Sequence, residues 1–286
     1  MTNSYLMKQH TLLSTYTFSG KGLHTGKAVT MNLLPAPEDY GIVFQRKDLG
    51  SDVMVHARVE NVIQTRRSTT LAERGVKIVT AEHLLSALTA LGVDNALVQI
   101  DAAEVPILDG SARAYTEAIR KHGLMVQHAD RRPIVVERPF VWEDARSGSR
   151  ISFEPADAFS VDVTIDFKSK VIGRQQARFD ASMDYAVEIA PCRTFCFRRE
   201  VTRLRLLGLI RGGSLENALV VDEPHGYAGD AVPLFDNEPA RHKLLDLLGD
   251  FSLAGRPIVG RIRAYKPGHL VNTRALAQFL QENNSL

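Results

Sequence analysis

Apolar and polar residues alternate in two series of short segments, one in each half of the chain, and such alternation is typical of half-buried β-strands. In the first half it predicts three strands, over residues 12–18, 28–34 and 40–46. In the second half it predicts strands over residues 134–141, 150–154, 159–167 and 258–265. The two series follow a similar order although few residues match, so we interpret the chain as a duplicated domain.

Each half also contains one segment in which leucines recur at the spacing of an amphipathic α-helix. In the first half, Thr80 is the predicted N-cap and Gly92 follows the last leucine. In the second half, Asn237 is the predicted N-cap and Pro239 lies in the first turn. Strands together with helices in both halves predict an α+β fold in which helices cover one face of each sheet.

The polar stretch from Gln127 to Arg132 is the predicted linker, which gives domains over residues 1–127 and 133–286. A chain of 286 residues is long enough for two ordinary domains. Its formal net charge of +2 provides no case for general attraction to nucleic acids or membranes. No apolar run approaches the length of a membrane span, and the N-terminus lacks the apolar core of a signal peptide.

The two cysteines of the chain are Cys192 and Cys196. A disulfide across so short a segment would stabilise the fold little, so the pair favours a reduced, cytoplasmic protein. A metal site built on this pair is the alternative, but neither a second cysteine pair nor a nearby histidine completes it.

The segment from His242 to Asp250 places an imidazole and a carboxylate on one face of the second predicted helix. His242 and Asp246 are four residues apart, which stacks their side chains about one turn apart. One interpretation is an ordinary exposed pair. The other is a pair of metal ligands, because the neighbouring leucines predict a buried helix in which an imidazole and a carboxylate need partners. Two such ligands need one more from elsewhere to form an open catalytic zinc site.

Three further segments contain residue types that carry chemistry. Glu82 and His83 begin the first predicted helix, either as a favourable first-turn carboxylate beside a partly exposed histidine or as a general base beside the third zinc ligand. His269 follows a strand and a Pro-Gly turn; it is either a surface histidine or a general acid that Asp250 orients. Thr194 lies either in an ordinary strand or where its hydroxyl donates to a developing oxyanion. The residues alone leave these alternatives open.

Seven sequence blocks, taken together, resemble the UDP-3-O-acyl-N-acetylglucosamine deacetylase family. The blocks are GKGLHTGK at 20–27, TAEHLLSAL at 80–88, EVPILDGSA at 104–112, RTFCF at 193–197, GGSLENA at 212–218, HKLLDLLGD at 242–250 and KPGH at 266–269. They occur in family order and span almost the whole chain, so their joint occurrence by chance is negligible.

The resemblance implies a role for each matching residue. Three residues are implied as the ligands of one catalytic Zn²⁺, which Fe²⁺ can replace: His83, His242 and Asp246. Glu82 is implied as the general base, His269 as the acid that protonates the leaving amine, Thr194 as the oxyanion donor and Asp250 as the partner of His269. The implied substrate contacts are Lys243, Phe195, His24, Leu23, Val201, Ile210, Gly213 and Ser214.

The resemblance also implies a fold of two similar two-layer α/β sandwich domains with the active site between them. A β-α-β insert in the second domain, near residues 196–220, is implied to form a tunnel for a fatty acyl chain. The apolar residues of this stretch, interspersed with arginines, are Val201, Leu204, Leu206, Leu207, Leu209 and Ile210. The alternative is a small amphipathic helix that packs on its own domain.

The implied reaction removes the N-acetyl group from UDP-3-O-(3-hydroxyacyl)-N-acetylglucosamine, giving acetate and a free amine, the committed step of lipid A biosynthesis in Gram-negative bacteria. The expected partner is this UDP-linked substrate, with no nucleic acid and no transmembrane segment, and the protein is expected to be a cytoplasmic monomer. Two rival functions remain. One is a zinc amidohydrolase for a small acylated sugar without a lipid, and the other is a non-catalytic binding protein whose structural zinc has a fourth protein ligand.

Overall fold

A computed structural model describes residues 8–50 and 53–283 of the chain. The elements of the first half are β1 (Lys8–Leu12), β2 (Tyr16–Lys21), β3 (Ala28–Pro35), β4 (Ile42–Arg46), β5 (Met54–His56), β6 (Val62–Gln64), β7 (Thr70–Glu73), β8 (Val76–Val79), α1 (Glu82–Ala90), β9 (Ala96–Ile100), α2 (Arg113–His122) and β10 (Leu124–Asp130). The elements of the second half are β11 (Ile134–Val135), β12 (Phe140–Asp144), β13 (Ser149–Glu154), β14 (Ser160–Asp166), β15 (Arg174–Asp180), α3 (Tyr185–Glu188), β16 (Phe195–Phe197), α4 (Arg198–Leu206), β17 (Leu219–Asp222), β18 (Gly226–Tyr227), α5 (Glu238–Phe251), β19 (Ile258–Val259), β20 (Arg261–Tyr265) and α6 (His269–Glu282).

The main sheets of the two halves have the same topology. Their strand orders are β2-β3-β9-β4-β5 and β12-β13-β20-β14-β15. In each sheet the central strand (β9 or β20) pairs in parallel with β4 or β14, and the other neighbours are antiparallel. One helix, α1 or α5, precedes the central strand, and another, α2 or α6, follows it. The predicted duplicated α+β fold is therefore confirmed.

The alternating pattern places one face of each sheet in the core. In β14, the side chains of Val161, Val163 and Ile165 are buried, as the period of two requires. Helix α6 covers this sheet through Phe279, whose ring stacks on that of Phe153 with a centroid distance of 4.2 Å and an interplanar angle of 6°. Full burial of each such side chain contributes about 1.5–3 kcal/mol of transfer free energy.

Several predicted boundaries differ from the structure. The predicted strands over 12–18, 134–141 and 258–265 are each interrupted, so that β1 and β2, β11 and β12, and β19 and β20 are separate strands. The polar stretch that starts at Gln127 is strand as far as Asp130, because β10 pairs with β1. Thr80 was predicted as an N-cap, but α1 begins after Ala81, and the Thr80 hydroxyl donates to Glu104 instead.

Each half contains an insertion next to its main sheet. In the first half, β6, β7 and β8 form a three-stranded sheet between β5 and α1. In the second half, β16 and β17 pair in parallel and α4 connects them, which makes a β-α-β unit. Among the described residues, no helix combines the length and apolar character that a membrane span requires.

The two halves meet where α1 crosses α5. Gly249, inside α5, lies against the start of α1: a β-carbon at this position would be 2.0 Å from the carbonyl oxygen of Glu82. The absence of a side chain therefore lets the two helix backbones touch. This contact brings the first turn of α1 close to the side chains in the middle of α5.

Candidate active site

Two histidines and an aspartate meet at the crossing of α1 and α5. His83 lies in the first turn of α1, and His242 and Asp246 project from one face of α5. Each of these buried residues offers one ligand atom, and the three atoms lie within 4.8 Å of one another. The Oδ1 atom of Asp246 is 3.6 Å from Nε2 of His83 and 3.4 Å from Nε2 of His242.

This arrangement fits a bound metal ion better than direct hydrogen bonding. The two nitrogen–oxygen distances exceed those of normal hydrogen bonds, and within the described residues Asp246 Oδ1 has no hydrogen-bond partner. A tetrahedral site with metal–ligand bonds of about 2.1 Å separates its ligand atoms by about 3.4 Å. The Nδ1–H group of His242 donates to the carbonyl oxygen of Cys192 at 3.0 Å, which leaves Nε2 of this ring as the ligand atom.

The charges of the cluster also suit a cation. Burial lowers the pKa of His242 to about 3, so the imidazole is neutral, the form that binds metals. Burial opposes ionisation of Asp246, but the Lys243 ammonium and the neighbouring imidazoles outweigh it and hold the pKa of Asp246 well below its usual range. The cluster therefore presents a neutral imidazole from His242 and a carboxylate from Asp246.

Glu82 and His269 face this cluster from two further directions. Glu82 begins α1 and His269 begins α6, and both side chains are buried. The Nε2 atom of His269 lies 3.8 Å from Glu82 Oε1 and 3.9 Å from Asp246 Oδ2. Burial raises the pKa of Glu82, against the attraction of the histidines. A carboxylate with a raised pKa and a histidine next to it can accept and donate protons at the same site.

Asp250 holds His269 in this orientation. Its Oδ2 atom accepts a hydrogen bond from His269 Nδ1 at 2.9 Å and another from the Asn272 amide at 2.8 Å. Its Oδ1 atom accepts from the Thr69 hydroxyl at 2.5 Å. Burial alone would lower the pKa of His269, but the carboxylates of Asp250 and Glu82 outweigh it and raise this pKa to about 9. His269 is therefore an imidazolium at neutral pH, with Nε2 free to donate.

The cluster forms the floor of a cavity of about 280 Å³. This floor cavity adjoins a larger cavity of about 460 Å³, and four residues line both cavities: Leu23, Arg67, Thr194 and Phe195. The residues that line only the floor cavity include Glu82, His83, His242, Lys243, Asp246 and His269. The structure thus brings all seven residues with an implied metal or catalytic role to one place, Asp250 through its contact with His269.

The larger cavity lies between the β-α-β insertion and residues of the first half, which are Leu23, His24 and Arg67. The remaining implied substrate contacts in its wall are His24, Val201, Ile210, Gly213 and Ser214. The His24 side chain is buried, and its Nε2 atom has no hydrogen-bond partner within the described residues. Lys243 belongs to the floor instead, where its Nζ atom donates to Asp246 Oδ2 at 2.6 Å and lies 5.6 Å from the centroid of the Phe195 ring.

The apolar residues of helix α4 divide between two sides. Val201 and Leu204 line the larger cavity, but Leu206 and Leu207 do not. Leu206 is 84% exposed and Leu207 is 48% exposed. These two leucines therefore lie outside the tunnel wall that the family resemblance implied for this stretch.

The cysteines have separate surroundings. Neither Cys192 nor Cys196 forms a disulfide, and burial raises the pKa of Cys192 to about 12. Cys196 lies in the wall of the larger cavity, whereas Cys192 contributes its carbonyl group to the orientation of His242.

Sequence reasoning missed three residues that hold the site together. Thr69 binds two carboxylates, since its backbone N–H donates to Glu82 and its hydroxyl to Asp250. Glu104 accepts hydrogen bonds from the backbone of His24 and from the Thr80 hydroxyl, which ties the Gly20–Gly26 loop to the start of α1. The sequence could have indicated Asn272, because it lies three residues after His269 on one helix face. No sequence pattern indicated the roles of Thr69 and Glu104, which lie in a polar stretch and in one of the matching blocks, respectively.

Comparison with known proteins agrees with this geometry. The model of the family described as "LpxC: UDP-3-O-acyl N-acetylglycosamine deacetylase" matches residues 9–281. The UDP-3-O-acyl-N-acetylglucosamine deacetylase of Myxococcus xanthus is 42% identical over 96% of this chain and 87% of its own length. That of Saccharophagus degradans is 40% identical over 98% of this chain and 92% of its own length.

Longer relatives match as well. The bifunctional enzyme LpxC/FabZ of Porphyromonas gingivalis is 42% identical over 94% of this chain. The match spans 63% of the length of that relative and 65% of the corresponding Bacteroides thetaiotaomicron enzyme. Since the family model covers nearly all of the described residues, the chain belongs to the LpxC family of UDP-3-O-acyl N-acetylglycosamine deacetylases.

Proposed function

We propose that this chain is a zinc-dependent hydrolase that removes the N-acetyl group from UDP-3-O-(3-hydroxyacyl)-N-acetylglucosamine, the committed step of lipid A biosynthesis. The observation that carries the proposal is the buried ligand set of His83, His242 and Asp246 with Glu82 and His269 facing it. The names of the relatives support the choice of substrate.

In this proposal, His83, His242 and Asp246 hold the ion. A zinc ion bound there supplies a Lewis acid that polarises the amide carbonyl and makes water more acidic. The same ligand set accepts Fe²⁺. The three protein ligands leave one side of the site to water and substrate, as in catalytic zinc sites.

Glu82 and His269 divide the proton transfers. Glu82 accepts a proton from the attacking water as the new carbon–oxygen bond forms. The His269 imidazolium then donates a proton from Nε2 to the amide nitrogen, so that the carbon–nitrogen bond breaks and the products are acetate and a free amine. Asp250 positions His269 and keeps it protonated. Thr194, in the wall between the cavities, donates its hydroxyl to the oxyanion.

The larger cavity would hold the acyl chain. Leu23, Phe195, Val201 and Ile210 contribute apolar surface, while His24, Gly213 and Ser214 lie where the polar part of the substrate would meet it. Lys243, next to Phe195 at the floor, would contact the sugar. We also propose that the two domains correspond to the two halves with matching sheets. Their boundary would lie just after Asp130, where β10 ends.

The proposal is tested by measuring metal content and acetate release with two substrates, one with a long and one with a short 3-O-acyl chain. We expect about one equivalent of metal per chain, loss of turnover on chelation and its return with Zn²⁺ or Fe²⁺. The long-chain substrate should have the higher kcat/KM, because its acyl chain buries apolar surface in the larger cavity.

Two results would contradict parts of the proposal. Equal kcat/KM for both substrates would favour an amidohydrolase that does not use the acyl chain. Retention of the metal without any acetate release would favour a binding protein with a structural ion.

A further inference from the structure

The outer side of helix α4 exposes leucine and arginine together. Arg203, Leu206 and Leu207 follow the i, i+3, i+4 spacing of one helix face, and Leu206 is the most exposed large apolar side chain of the described residues, at 84%. The opposite side of the same helix presents Val201 and Leu204 to the larger cavity. Helix α4 therefore has apolar side chains on two sides, one facing the cavity and one facing solvent. Packing against the cavity explains only the first of these sides.

The charges around this face are unbalanced. Residues 201–211 contain three arginines and no acidic residue. Elsewhere in the insertion the arginines are paired: Arg198 with Asp222 and Arg199 with Glu223. For the three others, Arg203, Arg205 and Arg211, the described part of the chain offers no carboxylate within 4.0 Å. A chain with a formal net charge of only +2 thus concentrates unpaired positive charge at one point.

We propose that this surface, the insert rim formed by Arg203, Leu206, Leu207 and Arg211, docks on the surface of an anionic lipid bilayer. Leucines enter the boundary between headgroups and acyl chains, and arginines meet the anionic headgroups around them. Exposed leucines and unpaired arginines are both present at the end of α4 and in the residues that follow it.

Other occupants fit the insert rim less well. A second copy of the chain in a twofold contact would bring two insert rims, and hence four unpaired arginines, against each other. An acidic protein would satisfy the arginines, but leucine is under-represented among the residues that dominate protein interfaces. An anionic bilayer accommodates both residue types at once.

Docking has a structural consequence for the larger cavity. Helix α4 is the wall between that cavity and the insert rim, so a docked insertion keeps the cavity about one helix diameter, roughly 10 Å, from the lipid. The idea that an acyl chain passes from the bilayer into the nearby cavity rests on the proposed function. Binding of the insert rim to the bilayer does not rest on it, because this binding requires no substrate.

The test is co-sedimentation of the full chain with vesicles of phosphatidylcholine alone or mixed with phosphatidylglycerol. We expect binding to the mixed vesicles only, with a decrease as salt is raised. Arg203→Gln should lower the partition coefficient roughly fivefold, and the double variant Leu206→Ser/Leu207→Ser at least about tenfold. Matched controls are Arg138→Gln and Val187→Ser, at exposed positions outside the insertion, which should bind like the unaltered chain.

Three outcomes would overturn the proposal. They are equal partition into neutral and anionic vesicles, equal losses in the control variants, and a concentration-dependent dimer that the leucine variant abolishes. Thermal unfolding of every variant checks the fold, and exposed positions should leave Tm unchanged. A chain that binds anionic vesicles but releases no acetate would contradict the proposed function and leave the insert rim as proposed. A chain that releases acetate but does not bind anionic vesicles would contradict the insert rim and leave the proposed function as it stands.

Discussion

The two adjoining cavities of this protein are built from different kinds of side chain. The floor cavity holds the ionisable residues of the candidate active site. Three of them contact a partner from another element: His242 the Cys192 carbonyl, His269 the Asp250 carboxylate and Glu82 the Thr69 amide. The larger cavity is lined mainly by apolar side chains from the insertion. The hydrogen bonds at the floor set the orientation and charge of its side chains, whereas the apolar lining of the larger cavity sets only the shape of the space.

This difference separates the expected effects of substitution. Changes at the floor should alter the chemical step whatever the length of the acyl chain, because they move charges or remove a proton carrier. Changes in the larger cavity should alter substrate affinity, and only for chains long enough to reach it. Substitutions in the two cavities test this separation, and the largest effects are expected at the floor.

The first substitution removes a proposed metal ligand from the floor. Asp246→Ala should lose the bound metal and lower kcat about a thousandfold or more, because the Lewis acid supplies several kcal/mol of transition-state stabilisation. Metal analysis and acetate release measure the two effects separately. Full metal content in this variant would contradict the ligand assignment, and Asp166→Ala, at a surface aspartate of β14, is the matched control.

The second substitution removes the proposed base but keeps the three proposed metal ligands. Glu82→Gln preserves the shape of the side chain and should lower kcat by about 10²–10⁴-fold, with metal content unchanged. The loss should be the same for long and short acyl chains. A loss confined to the long-chain substrate would mean that Glu82 acts on binding, and the separation between floor and larger cavity would fail.

The third prediction concerns the orientation and charge of His269. Asp250→Asn should lower kcat about 10–100-fold and move the basic limb of the pH–rate profile to lower pH. The sign follows from the proposed role of His269 as an acid. Activity is expected to fall as pH rises through the pKa of His269, and removal of the Asp250 charge lowers that pKa from about 9.

A matched variant separates charge from hydrogen bonding. Thr69→Val removes the hydroxyl that donates to Asp250 but keeps the carboxylate charge, so it should shift the basic limb much less than Asp250→Asn. Equal shifts in the two variants would show that geometry rather than charge sets the pKa of His269.

The sequence predicted local arrangements in this protein better than long-range ones. The spacing of His242 and Asp246 was enough to put both on one helix face, since helix geometry depends only on neighbours. The pattern of strands was enough to suggest the duplication. No local pattern could show that Thr69 bonds Asp250, because these residues are 181 positions apart and meet only after the halves pack.

The outer face of helix α4 shows the same limit in a different way. Its leucines satisfied the pattern of a cavity wall, and hydrophobicity alone does not distinguish a residue that faces a cavity from one that faces solvent. The rotation of α4 between β16 and β17 makes that distinction, since it points Leu204 inward and Leu206 outward. The alternation of apolar and polar residues likewise could not predict the breaks between strands, such as that between β1 and β2.

The smallest expected effect belongs to the larger cavity. Ala218 lies in its wall just before β17, and Ala218→Leu adds three carbon atoms to a space that the acyl chain would occupy. We expect KM for the long-chain substrate to rise roughly tenfold, with kcat and metal content unchanged. The short-chain substrate is the internal control, because it does not reach this wall and its KM should not change. If both substrates lost affinity equally, the added side chain would be acting on the floor through the shared residues Thr194 and Phe195, and the two cavities would not be independent.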